Sequence, residues 1–209
     1  MKYVYLFRHG KSEANDAGLV TGDLDDPLTY EGLIQVRNAA DMLFRYGLQF
    51  EICFVSHWRR AHESAVSILS ETEFVVDSRL GETDAGRVAN WPLTHFNGCY
   101  PEFWSNFDAD RRYPEGESHN ELYLRVVAWF DSVQSLVTEG SSVLAVTHAG
   151  PISCLIQHIC GIGMHGFPLF IPDNASLTRL DRKPNGTWRL GFFSLTSPIL
   201  VPCNNYSFV

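Results

Sequence analysis

Lys2-Tyr3-Val4-Tyr5-Leu6-Phe7 runs straight into Arg8-His9-Gly10, and this junction decides how the rest of the chain is read. The residues ahead of Arg8 are mostly β-branched or aromatic, so they predict a short buried strand. The charge sits at its carboxyl end. In open α/β sheets that is where ligands bind. Two further apolar segments end the same way. Glu51–Val55 predicts a strand followed by Ser56-His57-Trp58-Arg59-Arg60, and Ser142–Val146 predicts one followed by Thr147-His148-Ala149-Gly150. If the three ends converge, arginines and histidines meet in one pocket, which suits a phosphoryl group.

Between these strands the apolar period changes to that of helices. Thr29–Arg45 has apolar residues at 33, 36, 40, 43 and 44, with Thr29 as N-cap and Gly47 as stop. Arg60–Leu69 predicts a second helix, and Glu117–Val137, apolar at 122, 126, 130, 133 and 137, a long third one. An apolar helix follows His148 to about Cys160, Glu73–Val76 is a short strand, and Ala175–Leu180 with Thr187–Phe193 predicts a closing hairpin around Pro184-Asn185-Gly186. Alternating strands and helices give a three-layer α/β/α sandwich with a mostly parallel central sheet. No linker or repeat interrupts it, so residues 1–209 are expected to form a single domain.

Composition narrows the function. Of 209 residues, 45% are hydrophobic and 19% charged, which excludes a disordered tail, a collagen-like repeat and a coiled coil. The net charge of −8 argues against a nucleic-acid partner, so an anionic ligand needs a local basic cluster. No apolar run is long enough for a membrane span or a signal-peptide core. Five cysteines, odd in number and without a C-x-x-C pair, are expected to be reduced in a cytoplasmic protein.

The turn after the first strand continues as Arg8-His9-Gly10-Lys11-Ser12-Glu13-Ala14-Asn15, then Thr21-Gly22 and Asp26-Pro27-Leu28-Thr29. Ser56 to Ala65, Leu80-Gly81-Glu82, Pro114-Glu115-Gly116-Glu117-Ser118 and Thr147-His148-Ala149-Gly150 follow in order. Together these motifs resemble the histidine phosphatase (phosphoglycerate-mutase-like) superfamily over most of the chain. The resemblance implies a set of roles. His9 is the nucleophile that forms a phosphohistidine, Arg8 and Arg60 clamp the phosphoryl oxygens, and His148 stabilises their charge. Glu82 protonates the leaving group and then activates water. Asn15, Thr21 and Gly22 line the phosphate and substrate, and Asn174 resembles a further family position more loosely. No cofactor or metal is implied.

Other residues carry competing readings. Arg59 is either a solvated charge or a substrate contact. Glu117 and Ser118 are either a helix cap or pocket residues. The aromatic segment 91–107 is either core or a lid. Cys53 and Arg59 fit the C-x5-R spacing of cysteine phosphatases, but the intervening residues contain no glycine and Cys53 lies in a predicted strand. Gly161, Gly163 and Gly166 fit G-x-G-x-x-G but follow a helix, and prolines come next. His62-Glu63 has Val66 where a zinc motif needs histidine.

Within the superfamily, phosphoglycerate mutases carry Glu-Arg-x-Tyr at the proton donor. Here Glu82-Thr83-Asp84-Ala85 lacks the Arg and Tyr and resembles fructose-2,6-bisphosphatase domains. The expected function is a phosphomonoesterase acting on small phosphorylated metabolites, sugar phosphates among them. The alternatives are a cofactor-dependent phosphoglycerate mutase and a non-catalytic phospho-ligand binding module. The expected partner is a small-molecule phosphate ester. The sequence leaves the oligomeric state open.

Overall fold

The computed structural model describes residues 2–69, 73–136 and 141–197. Val137, the expected end of the long helix, and Cys203 lie outside them. Six strands form one sheet: β1 (Lys2–Arg8), β2 (Ile52–Val55), β3 (Val75–Val76), β4 (Ser142–Thr147), β5 (Leu177–Arg182) and β6 (Trp188–Leu195). Their order is β3-β2-β4-β1-β5-β6. The β2–β3, β2–β4 and β1–β4 pairs are parallel, while β5 and β6 add an antiparallel edge.

Side chains alternate across each strand, so every strand feeds two cores. Val4, Leu6, Val143 and Ala145 pack under α6 (His119–Gln134) and α7 (Ala149–Ile159). Tyr5, Phe7, Leu144 and Val146 pack under α2 (Tyr30–Arg45) and α3 (Arg59–Leu69). This is the expected sandwich. Thr29 caps α2 by accepting from the Gly32 N–H at 3.0 Å, and Gly47 ends it at φ +63°. Ser118 and Glu121 form a reciprocal capping box at the start of α6.

Three details differ from the sequence reading. Phe44, counted on the apolar face of α2, is 86% exposed. The third strand shortens to two residues at the sheet edge. Three short helices were not foreseen: α1 (Glu13–Asp16), α4 (Leu93–Cys99) and α5 (Glu102–Ser105). Of the aromatic segment 91–107, Phe96 and Phe103 are core, Trp91, Tyr100 and Phe107 are half-buried, and Trp104 is exposed. Phe96 and Phe103 join Val20, Ala85, Val88 and Tyr113 in a third cluster, with Phe103 and Tyr113 ring centroids 4.6 Å apart.

Candidate active site

β4 lies between β1 and β2, and the register pairs Arg8 with Thr147 and Val55 with Val146. The three polar turns therefore emerge side by side. The His9 N–H donates to the Thr147 carbonyl at 3.0 Å, and the Ser56 N–H to the Val146 carbonyl at 2.9 Å. The His9 and His148 ring centroids are 4.9 Å apart.

His9 is 2% exposed, and its Nδ1 lies 2.7 Å from the Gly10 carbonyl oxygen. A carbonyl only accepts, so Nδ1 carries the proton and Nε2 keeps a lone pair. Burial, reinforced by the Arg60 and Arg8 charges, holds this imidazole well below its ordinary range, so it is neutral at pH 7. Arg60 Nε donates to that Nε2 at 3.1 Å. The rest of the Arg60 guanidinium donates to Asp26 Oδ2 (3.1 Å), the Asp23 carbonyl (3.2 Å) and the Thr21 carbonyl (2.8 Å), and it stacks over Trp58. Thr21 accepts the bond from a left-handed backbone at φ +43°. At Gly22, φ +73°, a Cβ would stand 3.1 Å from Arg60 Nη1 and 2.8 Å from Ala14 Cβ, so only glycine fits.

His148 is fully buried, and its Nε2 lies 2.8 Å from Ser56 Oγ. That hydroxyl also accepts the Trp58 N–H at 3.3 Å, which leaves its own proton free to be donated to Nε2. In the tautomer in which Ser56 donates, the His148 proton resides on Nδ1. Nδ1 and the buried Arg8 Nε have no hydrogen-bond partner among the described residues. Two buried N–H groups beside an arginine fit an anionic ligand. Arg8 Nη1 is held by the Pro172 carbonyl at 2.5 Å.

Glu82 approaches from the other side. Its Oε1 accepts the Thr83 N–H at 2.9 Å and its Oε2 the Gly150 N–H at 3.2 Å. A Cβ at Gly150 would meet Glu82 Oε1 at 2.2 Å. Beyond Glu82 opens a pocket of about 390 Å³ lined by Asp23, His57, Trp58, Asp84 and Arg125 among others. A larger cavity of about 500 Å³, against α2 and Asp173–Ala175, is lined by no histidine or arginine.

The structure thus brings together Arg8, His9, Arg60, Glu82 and His148. Asn15 sits at the rim, where its Oδ1 accepts from Asn174 Nδ2 at 3.1 Å, and Asn174 also reaches the His9 carbonyl at 3.2 Å. Arg59 is outside the site, exposed and paired with Glu63 at 2.8 Å. Ser118 is the helix cap, while Glu117 lines the pocket and pairs with Arg125 at 2.5 Å. Cys53 faces α2 and α3, and burial pushes its thiol up to about 11. Three contributors went unassigned in the sequence: Ser56, Asp26 and Arg125. Ser56 and Asp26 stand within the motifs. Arg125 had no signal, because three of its partners are backbone carbonyls far off in sequence.

A neutral buried histidine and two arginines at the carboxyl ends of a sheet, faced by the Glu82 carboxyl group, define a phosphoryl-handling α/β enzyme. Residues 4–194 match the profile of the histidine phosphatase superfamily (branch 1). The chain is 30% identical over 185 residues to a Hydrogenobacter thermophilus protein named "Putative phosphoserine phosphatase 2", covering 86% of this chain and 89% of that one. It is 33% identical over 186 residues to a Yersinia pestis protein named "Probable phosphoglycerate mutase GpmB", covering 87% and 85%. Among solved structures, "Mycobacterial hydrolase 1" superposes with a TM-score of 0.82 at 25% identity, covering 93% of this chain and 99% of that one. A mycobacterial glucosyl-3-phosphoglycerate phosphatase with VO3 superposes with the same score, 0.82, at 24% identity, covering 94% and 100%. The chain belongs to the histidine phosphatase superfamily, and it is a hydrolase of the phosphatase type.

Proposed function

We propose that the protein hydrolyses small phosphate monoesters, sugar phosphates among them, through a phosphohistidine on His9. The observation that carries this reading is the His9 hydrogen bond to the Gly10 carbonyl, which keeps the proton on Nδ1 and the lone pair on Nε2, where Arg60 Nε donates until a phosphoryl group takes its place. Nε2 attacks phosphorus, and the P–O ester bond breaks. The departing alkoxide takes the Glu82 proton. Glu82, now a carboxylate, removes a proton from water as that water attacks phosphorus. The P–N bond breaks, phosphate leaves, and Glu82 is protonated again. Arg8, Arg60 and the His148 Nδ1–H balance the charge on the phosphoryl oxygens, so turnover is expected to persist in chelator.

Two observations favour hydrolysis over the mutase reaction. A mutase holds its anionic intermediate until the phosphoryl group returns. Here Thr83 and Ala85, in the positions where mutases carry Arg and Tyr, are both buried. Asp23 and Asp84 line the pocket and pair with no cation among the described residues. A carboxylate or second phosphate on the product meets repulsion there and leaves. Parallel assays of phosphate release and of 2- to 3-phosphoglycerate interconversion on one preparation test this. Phosphate release is expected to dominate. Isomerisation faster than hydrolysis of every ester tried would reverse the assignment.

A further inference from the structure

Arg125 lines the leaving-group pocket, yet it has no donor left for a ligand. A guanidinium carries five N–H groups. In Arg125 they make five hydrogen bonds: Nη1 to the carbonyls of Arg79 (2.8 Å) and Gly81 (2.9 Å), Nη2 to the Glu82 carbonyl (2.8 Å) and Glu117 Oε1 (2.5 Å), and Nε to Glu117 Oε2 (3.0 Å). Glu117 Oε1 also accepts the Asp84 N–H at 2.9 Å. The segment 79–84 is therefore pinned on both sides of Glu82.

The anchor itself is rigid. Arg125 projects from α6, which is fixed at its start by the Ser118–Glu121 capping box and buried along Leu122, Val126 and Trp129. With the backbone held, the Thr83 and Gly150 N–H groups direct the Glu82 carboxyl. We infer that Arg125, backed by Glu117, is a positioning residue. It holds the proton donor Glu82 at the distance where a leaving group is protonated and water is activated. The inference rests on the Glu82 role given above.

The test separates positioning from mere structural support through the leaving group. An alkyl phosphate needs a proton on its departing oxygen. p-Nitrophenyl phosphate does not, because nitrophenolate leaves as the anion. Both substrates need Glu82 in the second step, when water attacks the phosphoenzyme. In Arg125→Ala, alkyl phosphate turnover should fall about 10²-fold in kcat, with KM changed less than about threefold. p-Nitrophenyl phosphate should still release about one equivalent of nitrophenolate in a burst, followed by slow turnover as the phosphoenzyme accumulates. Glu82→Gln should show the same pattern with a larger fall, and Arg125→Lys a smaller one.

A folded Arg125→Ala that turns over alkyl phosphate like wild type overturns the inference. So does one in which the burst disappears along with alkyl turnover, since that reports a damaged pocket. If Arg125→Ala does not fold, Arg125→Lys carries the same test: a burst with reduced alkyl turnover supports the inference, and wild-type turnover overturns it. If Glu82→Gln itself shows no burst or undiminished turnover, the role given to Glu82 falls and takes this inference with it. A failure confined to the Arg125 variants leaves the Glu82 role standing.

Discussion

Arg125 has all five N–H groups filled, whereas Arg60 makes four hydrogen bonds and keeps one Nη2 N–H without a partner among the described residues, and the two arginines are held by different kinds of partner. Arg60 reaches the imidazole of His9 and the carboxylate of Asp26, and it lies 2% exposed over Trp58. Arg125 grips backbone carbonyls and one carboxylate. The two arginines stand for two halves of the pocket. The phosphoryl half is buried, cationic and built on the ends of β1, β2 and β4. The leaving-group half is open, rimmed by Asp23 and Asp84, and built on the segment between β3 and α6. In the function proposed above, one half recognises the group common to all phosphate esters, and the other, by its charge and shape, chooses among them.

The sharpest way to break this division is Arg60→Lys. An ammonium keeps the charge but loses the planar fork that spans His9, Asp26 and the Thr21 carbonyl. Loss of oriented donors to the transferring group should lower kcat/KM by about 10²- to 10³-fold for every ester, whatever its leaving group. Steady-state kinetics on a neutral and an anionic ester check this. A loss confined to one of them would erase the distinction between the halves.

Acid should weaken both halves, since buried neutral histidines stand in each, and His119 lets the effect be read outside the phosphoryl site. His119 is buried among Phe103, Tyr113 and Phe167 on the leaving-group side, and burial lowers its pKa to about 4. The folded state therefore favours the neutral ring. Its contribution is complete above the unfolded value near 6.5 and is lost as pH falls from there toward 4. At about 1.4 kcal/mol per pH unit, the loss is on the order of 3 kcal/mol. His119→Phe removes the titration, so its stability relative to wild type should rise by that order between pH 7 and pH 4. Denaturant unfolding at both pH values measures it. Equal acid losses in the two proteins would show that His119 does not titrate as described.

The smallest effect concerns selectivity. Asp23→Asn with Asp84→Asn removes two negative charges from the rim and keeps an amide oxygen as acceptor. Rim charges contribute on the order of 0.5 kcal/mol each, so kcat/KM for an anionic ester should rise about fivefold. A neutral ester should change less than about twofold. Equal changes in both would remove the electrostatic account of the leaving-group half.

The phosphoryl half was legible in the sequence because its parts are side chains at strand ends. Arg8 and His9 follow an apolar run directly, His148 follows another, and Arg60 stands in the first turn of the helix after a third. The helix boundaries at Thr29 and Gly47 were equally plain, since capping chemistry is local. The leaving-group half was less legible. Arg125 acts on carbonyls, which every residue carries, so no residue pattern announces it. α1 and α5 span four residues each, too few for a helical period to show. Phe44 has the right spacing for the core and still faces solvent, because period alone does not say how wide the covered face is.

The account stands on His9 as the atom donor to phosphorus, and rapid-quench labelling tests that most directly. Wild type mixed with a 32P-labelled ester should carry acid-labile, alkali-stable phosphate. Cys53→Ser should carry the same label and turn over nearly as wild type, because its thiol is buried away from the pocket. His9→Ala should carry none. A folded Cys53→Ser without label or turnover, or a His9→Ala that still labels, would contradict the account.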